Sequence, residues 1–213
     1  MVSEAEADAS PPSPWTGRKA RGRGRDFPIK REAVLSAAAA LMGRKGYGGA
    51  SLAELAEILG VTKPTLYHYV GSKEQLFAEI VGRSQAMTIE FIAGVAAGPG
   101  TGLAKLRAIM LGYMKIVNTD AGTCLLFAST ADIGPETGGL IRARAKRANA
   151  LIYQVLAEGQ ADGTLRISDP TVALNTLFGS LNWTPNWYRP GRRLALDDIA
   201  EQQVDLLLNG VRA

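Results

Sequence analysis

The stretch VTKPTLYHYVGSKEQLF, Val61 to Phe77, gathers Lys63, Thr65, Tyr67, Tyr69, Lys73 and the chain's only histidine, His68. Ammonium, hydroxyl and imidazole groups donate to phosphate oxygens and to base edges, so the mixture suits a nucleic-acid surface. It does not suit catalysis. Cys124, the only cysteine, has no histidine within a helical turn, and the carboxylates are scattered rather than paired on one helical face. Neither a glycine-rich phosphate loop nor HExxH-type metal spacing occurs. The expectation is a protein that is not an enzyme, with no cofactor and no metal site.

Local sequence signals set the positions of these groups. Ser51-Leu52-Ala53-Glu54 reads as a capping box, with the serine oxygen accepting from the Glu54 amide and Glu54 reaching back. Gly60 supplies a left-handed stop, Thr62 the cap of the next helix, and Ser72-Lys73-Glu74-Gln75 a second capping box. The order is helix, short turn, helix, long helix: a helix-turn-helix, whose second helix enters the major groove. Pro64 then falls in the first turn, whose amides have no intrahelical acceptor, and costs little there. Its ring is left as an apolar tip suited to a thymine methyl. Leu52, Leu55, Leu59, Val61, Leu66 and Val70 are the miniature core between the helices. On spacing alone, an ordinary αα-hairpin with solvated polar residues is the alternative.

The rest of the chain also reads as helical. Val34 to Met42 carry a stripe at helical spacing that ends near Gly46, and Leu76 to Met87 carry a longer one. Beyond the GPGTG segment, further helices are expected at about 103–118, 124–132, 138–161, 170–186 and 196–211. Asp169 before Pro170 marks one start. No alternating strand pattern of useful length and no internal repeat is present, so the fold class is all-α.

Charge is unevenly spread. The net charge is +4, yet Arg18 to Arg31 hold seven basic residues against the single acid Asp26. A field of that sign attracts polyanions, although a solvated tail is the plainer alternative. Residues 1–25 lack a hydrophobic face and are expected to form a disordered basic arm, adding phosphate or minor-groove contacts. No uncharged apolar run approaches the roughly 20 residues of a membrane helix. With one cysteine and no secretory pattern, the protein is expected in the cytoplasm, on the nucleoid when bound to DNA, and not in a membrane.

The segment VLSAAAALMGRKGYGGASLAELAEILGVTKPTLYHYVGSKEQLF closely resembles the DNA-binding domain of the TetR family of bacterial transcriptional regulators. The shared features are the first helix ending in G-Y, the S-L-A-E-L-A start, G-V before the turn, and T-L-Y-H-Y followed by S-K. The resemblance implies that Lys63, Pro64, Thr65, Tyr67, His68 and Tyr69 face double-stranded operator DNA, with Tyr67 and Lys73 gripping phosphates. Ser51 and Thr62, the caps at that surface, complete the expected DNA-binding set.

It also implies a three-helix DNA-binding domain over 26–72 and a helical effector-binding and dimerisation domain over 73–213. TetR-like proteins pair through their last two helices. Leu174, Leu181, Trp187, Val204, Leu207 and Leu208 are the expected homodimer residues. Large apolar groups on the middle helices, Met110, Tyr113, Met114, Phe127, Phe178 and Trp183, together with Asn182, are the expected lining of an effector pocket, unless they are plain core. The ending LNWTPNWYRPGRRLALDDIAEQQVDLLLNGV resembles that of regulators of fatty-acid and sterol breakdown, several of which answer acyl-CoA thioesters. Its Trp183, Trp187 and Tyr188 serve equally as interface packing. Arg142, Arg144, Lys146 and Arg147 are either a solvated face or a site for a CoA phosphate.

The expected function is a repressor that binds a near-palindromic operator as a dimer and is released by a small hydrophobic effector of acyl-CoA type. The alternatives are an aromatic or drug-like effector, no effector, or action as an activator.

Overall fold

The computed structural model describes residues 26–128 and 133–211. The basic residues Arg18 to Arg25 lie outside that range. Among the described residues every extended element is a helix: α1 Asp26–Gly49, α2 Leu52–Leu59, α3 Lys63–Val70, α4 Lys73–Ala97, α5 Gly102–Val117, α6 Asp120–Leu126, α7 Pro135–Ala161, α8 Pro170–Trp187 and α9 Leu196–Leu208. No helix among them is long and apolar enough to cross a membrane.

The caps work as their residue types dictate. Ser51, Thr62 and Ser72 each accept from the backbone amide three residues on, and Gly60 closes α2 at φ 65°. The reciprocal half of the first box is not made, because Glu54 instead pairs with Lys45 Nζ at 2.5 Å. The regular part of α1 stops at Gly46, where φ is 73° and ψ 164°, a backbone state open to glycine.

Two boundaries differ from the sequence reading. The segment expected at 124–132 is instead α6, Asp120–Leu126, because Thr119 caps it by accepting from the Gly122 amide. The next helix begins earlier than 138, since Pro135 sits in its first turn, where proline is pre-organised.

Two hydrophobic cores result. The first joins α1, α2 and α3 to the start of α4 (Leu76, Phe77, Ile80, Val81) and to Cys124 of α6. The second joins the far end of α4 to α5, α7, α8 and α9 around Leu106, Met110, Met114, Val155, Leu177, Leu181 and Val204. One helix, α4, therefore runs through both. On the seam between them, α1 packs on α6, and a Cβ at Gly122 would stand 2.4 Å from the Ile116 carbonyl oxygen. Only glycine permits that approach. Arg31 of α1 donates through both terminal nitrogens to the Glu79 carboxylate of α4, and Arg83 joins Glu79 to Glu32. These bonds hold the first helix at a fixed angle to the fourth.

Candidate DNA interface and effector cavity

The turn between α2 and α3 is Gly60-Val61-Thr62, and it presents α3 on the outer face of the first core. Leu66 and Val70 point inward. Thr62, Lys63, Pro64, Thr65, Tyr67 and His68 are exposed. Thr62 Oγ1 lies 2.9 Å from Thr65 Oγ1, so these two hydroxyls steady each other at the helix tip. Pro64 stands in the first turn, as its missing N–H requires.

Tyr69 is only half-exposed. Its ring stacks on Phe27 of α1 at 4.9 Å between centroids, while His68 meets Phe27 edge-on at 5.7 Å. Sequence reasoning passed over Phe27. Its one signal was an aromatic residue standing where the basic arm meets the first apolar stripe.

Ser51, Lys63, Tyr67 and Lys73 come together around one shallow cleft with Ala50, Leu52 and Ala53. The cleft opens at the N-terminus of α2, whose first amides have no intrahelical acceptor. Lys73 Nζ is held 4.4 Å above the Tyr47 ring, a cation–π contact that fixes the ammonium at the rim. An ammonium, a phenol hydroxyl and helix N-terminal amides around one hollow are the kinds of donor a phosphate group accepts from.

A cavity of about 320 Å³ lies in the second half of the molecule, between α4, α5, α6, α7 and α8. Tyr113, Phe178 and Asn182 of the expected pocket residues line it. Tyr113 donates to Asn182 Oδ1 at 2.6 Å, and burial pushes its phenol pKa up to about 12, so the hydroxyl stays a donor. The structure does not bring the remaining expected lining residues to the cavity. Met110 and Met114 are fully buried in the second core. Phe127 caps the end of α6, and Trp183 is 65% exposed. Residues not foreseen complete the wall, among them Gln85 and Thr88 of α4 and Gly122, Leu125 and Leu126 of α6.

The expected dimer residues also separate. Leu174, Leu181, Val204 and Leu208 are buried within the chain's own core, because the stripe they share is the one that packs on α5. Trp187 is exposed, and Leu207 is half-buried. The apolar groups that do face out on α8 and α9 are Val172, Trp183, Trp187 and Leu206. Thr184 and Gln203 tie these helices together, Thr184 Oγ1 bonding Gln203 Oε1 at 3.0 Å and Gln203 Nε2 donating to the Ser180 carbonyl at 2.9 Å.

Cys124 is fully buried in the first core, and burial pushes its thiol pKa up to about 12. It is a packing residue. No group of three or more metal-ligating side chains occurs among the described residues.

Comparison with known proteins agrees with both halves. The family model "Bacterial regulatory proteins, tetR family" matches residues 34–80, and "Tetracyclin repressor-like, C-terminal domain" matches residues 99–211. A TetR/AcrR-family regulator from Thermobifida fusca is 35% identical, over 85% of this chain and 98% of its own, with a TM-score of 0.65. The structure of AibR in complex with isovaleryl coenzyme A and operator DNA is 28% identical, over 84% and 97% of the two chains, with a TM-score of 0.75. Among curated proteins, the transcriptional repressor KstR2 of Mycolicibacterium smegmatis is 22% identical over 85% of this chain and 90% of its own.

Proposed function

We propose that this chain, which belongs to the TetR family of bacterial regulatory proteins, is a homodimeric repressor released from its operator by a small amphipathic effector. Membership makes it a DNA-binding transcriptional regulator and not an enzyme.

For DNA, the reading assigns base edges to the tip of α3, from Lys63 to Thr65 with His68 beside them. It assigns phosphates to the Ser51–Tyr67–Lys73 cleft. In a dimer the two α3 helices must meet major grooves one turn apart, roughly 34–36 Å. The proposed division of labour keeps residues 26–72 for DNA and 73–213 for effector and partner. The arm of residues 1–25 adds phosphate contacts.

For the effector, the observation that carries the reading is that α6 has a face on each side of the seam. Gly122, Leu125 and Leu126 line the cavity, while Cys124 is packed in the core that holds α3. The same is true of α4, which gives Gln85, Thr88 and Ile89 to the cavity and Phe77 and Ile80 to the first core. A ligand that spreads the cavity wall would shift the two helices that carry the reading head. The shift in operator binding is limited to the ligand's difference in affinity between the two states. A CoA thioester as the effector class draws support from AibR, solved with isovaleryl coenzyme A and operator DNA.

The test is fluorescence anisotropy on a duplex from the region upstream of the protein's own gene, at several salt concentrations, with and without acyl-CoAs. The reading expects tight, salt-sensitive binding that prefers this duplex to an unrelated one and weakens as acyl-CoA is added. Equal affinity for both duplexes would refute it.

A further inference from the structure

We infer that the cavity takes an anionic amphiphile that also carries a neutral hydroxyl or amide N–H, which it gives to Gln85 Oε1 while its charge meets Arg144. This rests on the reading of the cavity as the effector site and names the chemistry of what enters it.

Gln85 lines the cavity and is 8% exposed. Its Nε2 donates to the Ile141 carbonyl oxygen of α7 at 3.1 Å. A carbonyl can only accept, so the amide nitrogen must face α7, and Oε1 is committed to the other side. That oxygen is buried and meets no donor among the described residues. An unpaired buried acceptor is costly, and a donor that reached this one would recover that cost. Four other polar side chains on the wall have partners within the protein: Thr88 Oγ1 donates to the Ser84 carbonyl at 2.9 Å, Asn175 Nδ2 to the Thr171 carbonyl at 2.8 Å, and Tyr113 to Asn182.

Arg144 provides the second observation. It lines the same cavity, and its guanidinium lies over Gly82, where a Cβ would stand 3.2 Å from one terminal nitrogen. It takes part in none of the ion pairs among the described residues. Arg144 follows Ile141 by three positions on α7, which places the two on one helix face a turn apart. The unpaired cation and the unpaired acceptor therefore belong to the same α4–α7 wall. The rest of the lining is mostly apolar, with Ile89, Ile92, Val117, Leu125, Leu174 and Phe178.

Together these groups select among ligands. An ionised fatty acid satisfies Arg144 but has no proton for Gln85. A hydroxy fatty acid supplies both, and so does an acyl-CoA, through its phosphates and the amides of its pantetheine arm.

The test is calorimetric titration of the full chain with decanoate, β-hydroxydecanoate, methyl β-hydroxydecanoate and decanoyl-CoA, each repeated in an operator-release assay. At least one of β-hydroxydecanoate and decanoyl-CoA is expected to bind about tenfold more tightly than decanoate, the scale of one buried hydrogen bond. Which of them wins tells a hydroxyl donor from an amide donor. In Gln85→Met that advantage over decanoate should vanish while decanoate binding is kept. In Arg144→Gln the acid should lose its advantage over the methyl ester. The wild-type comparison stands even if a variant fails to fold.

Decanoate binding as tightly as both donor-bearing probes would overturn the assignment, as would failure of all four to bind. If plain decanoate also released operator, the effector reading would survive without this assignment. If a donor-bearing probe bound through Gln85 yet left operator affinity unchanged, the assignment would stand and the effector reading would fall.

Discussion

Gly43 of α1 lies so close to Thr123 of α6 that a Cβ on the glycine would stand 2.6 Å from the threonine Oγ1. The Asp120 carbonyl oxygen would be 3.1 Å from the same Cβ, so backbone still crowds it even if the threonine turns away. This contact joins the helix that braces the reading head to the helix that lines the cavity. Gly43→Ala gains roughly 1 kcal/mol of helix propensity but forces the helices apart, an overpacking cost of about 1–3 kcal/mol. The expected net result is a lower melting temperature. Gly94→Ala in α4, with nothing within 4 Å of its Cβ, should instead raise it. Thermal unfolding of the two variants side by side checks this.

The reading head predicts two kinds of defect. Pro64→Gly removes the apolar ring at the tip of α3 and should change base preference at one operator position with little effect on folding. Tyr67→Phe and Lys73→Ala should weaken binding to all sequences alike, by about 1 kcal/mol and about 1.5–3 kcal/mol. Losing the Lys73 contact should also reduce the slope of log K against log salt by roughly 0.9. Binding to a library of single-base operator variants at three salt concentrations separates these outcomes.

Pairing of two copies through α8 and α9 predicts that exposed and buried apolar residues behave differently. Leu206 is 76% exposed, so Leu206→Glu should leave the folded chain intact, give monomers in sedimentation and weaken operator binding. Leu181 is fully buried, and Leu181→Glu should unfold the second core instead. Circular dichroism and sedimentation velocity on the two variants decide the matter.

The Glu79 carboxylate, hydrogen-bonded first of all by Arg31, is held below the ordinary glutamate range. Its native pKa is depressed, so its stabilising contribution is complete above about pH 5 and is lost as pH falls below about 4. Glu79→Gln should therefore lower the melting temperature at neutral pH and flatten its fall in acid. Melting temperatures of both proteins between about pH 3 and 7 measure the effect.

Much of the head was legible because its signals are local. Ser51, Thr62 and Ser72 each cap the amide three residues on, and Gly60 ends α2, without help from distant residues. The same local logic would have placed α6 correctly from Thr119 and Asp120, but the apolar run from Cys124 drew the boundary downstream. The cavity was less legible. Met110, Tyr113 and Met114 sit within two turns of α5, a helix surrounded by others, and periodicity does not say which stripe faces empty space. Leu174 and Trp187 pose the same problem on α8: both are apolar, and only the packing of α5 against that helix decides which faces in. Gln85 carried no signal at all, since an amide among apolar residues reads as surface until its neighbours are known.

Coupling between the cavity and the reading head is measurable from either side through linkage. The decisive measurement is the affinity of decanoyl-CoA for the free dimer and for the dimer already bound to operator, with operator affinity measured in the absence and presence of saturating ligand. Linkage makes the two ratios the same, coupling requires that shared ratio to differ from one, and an effective switch needs about fivefold or more. Ligand binding with one affinity to the free and operator-bound protein would contradict the account.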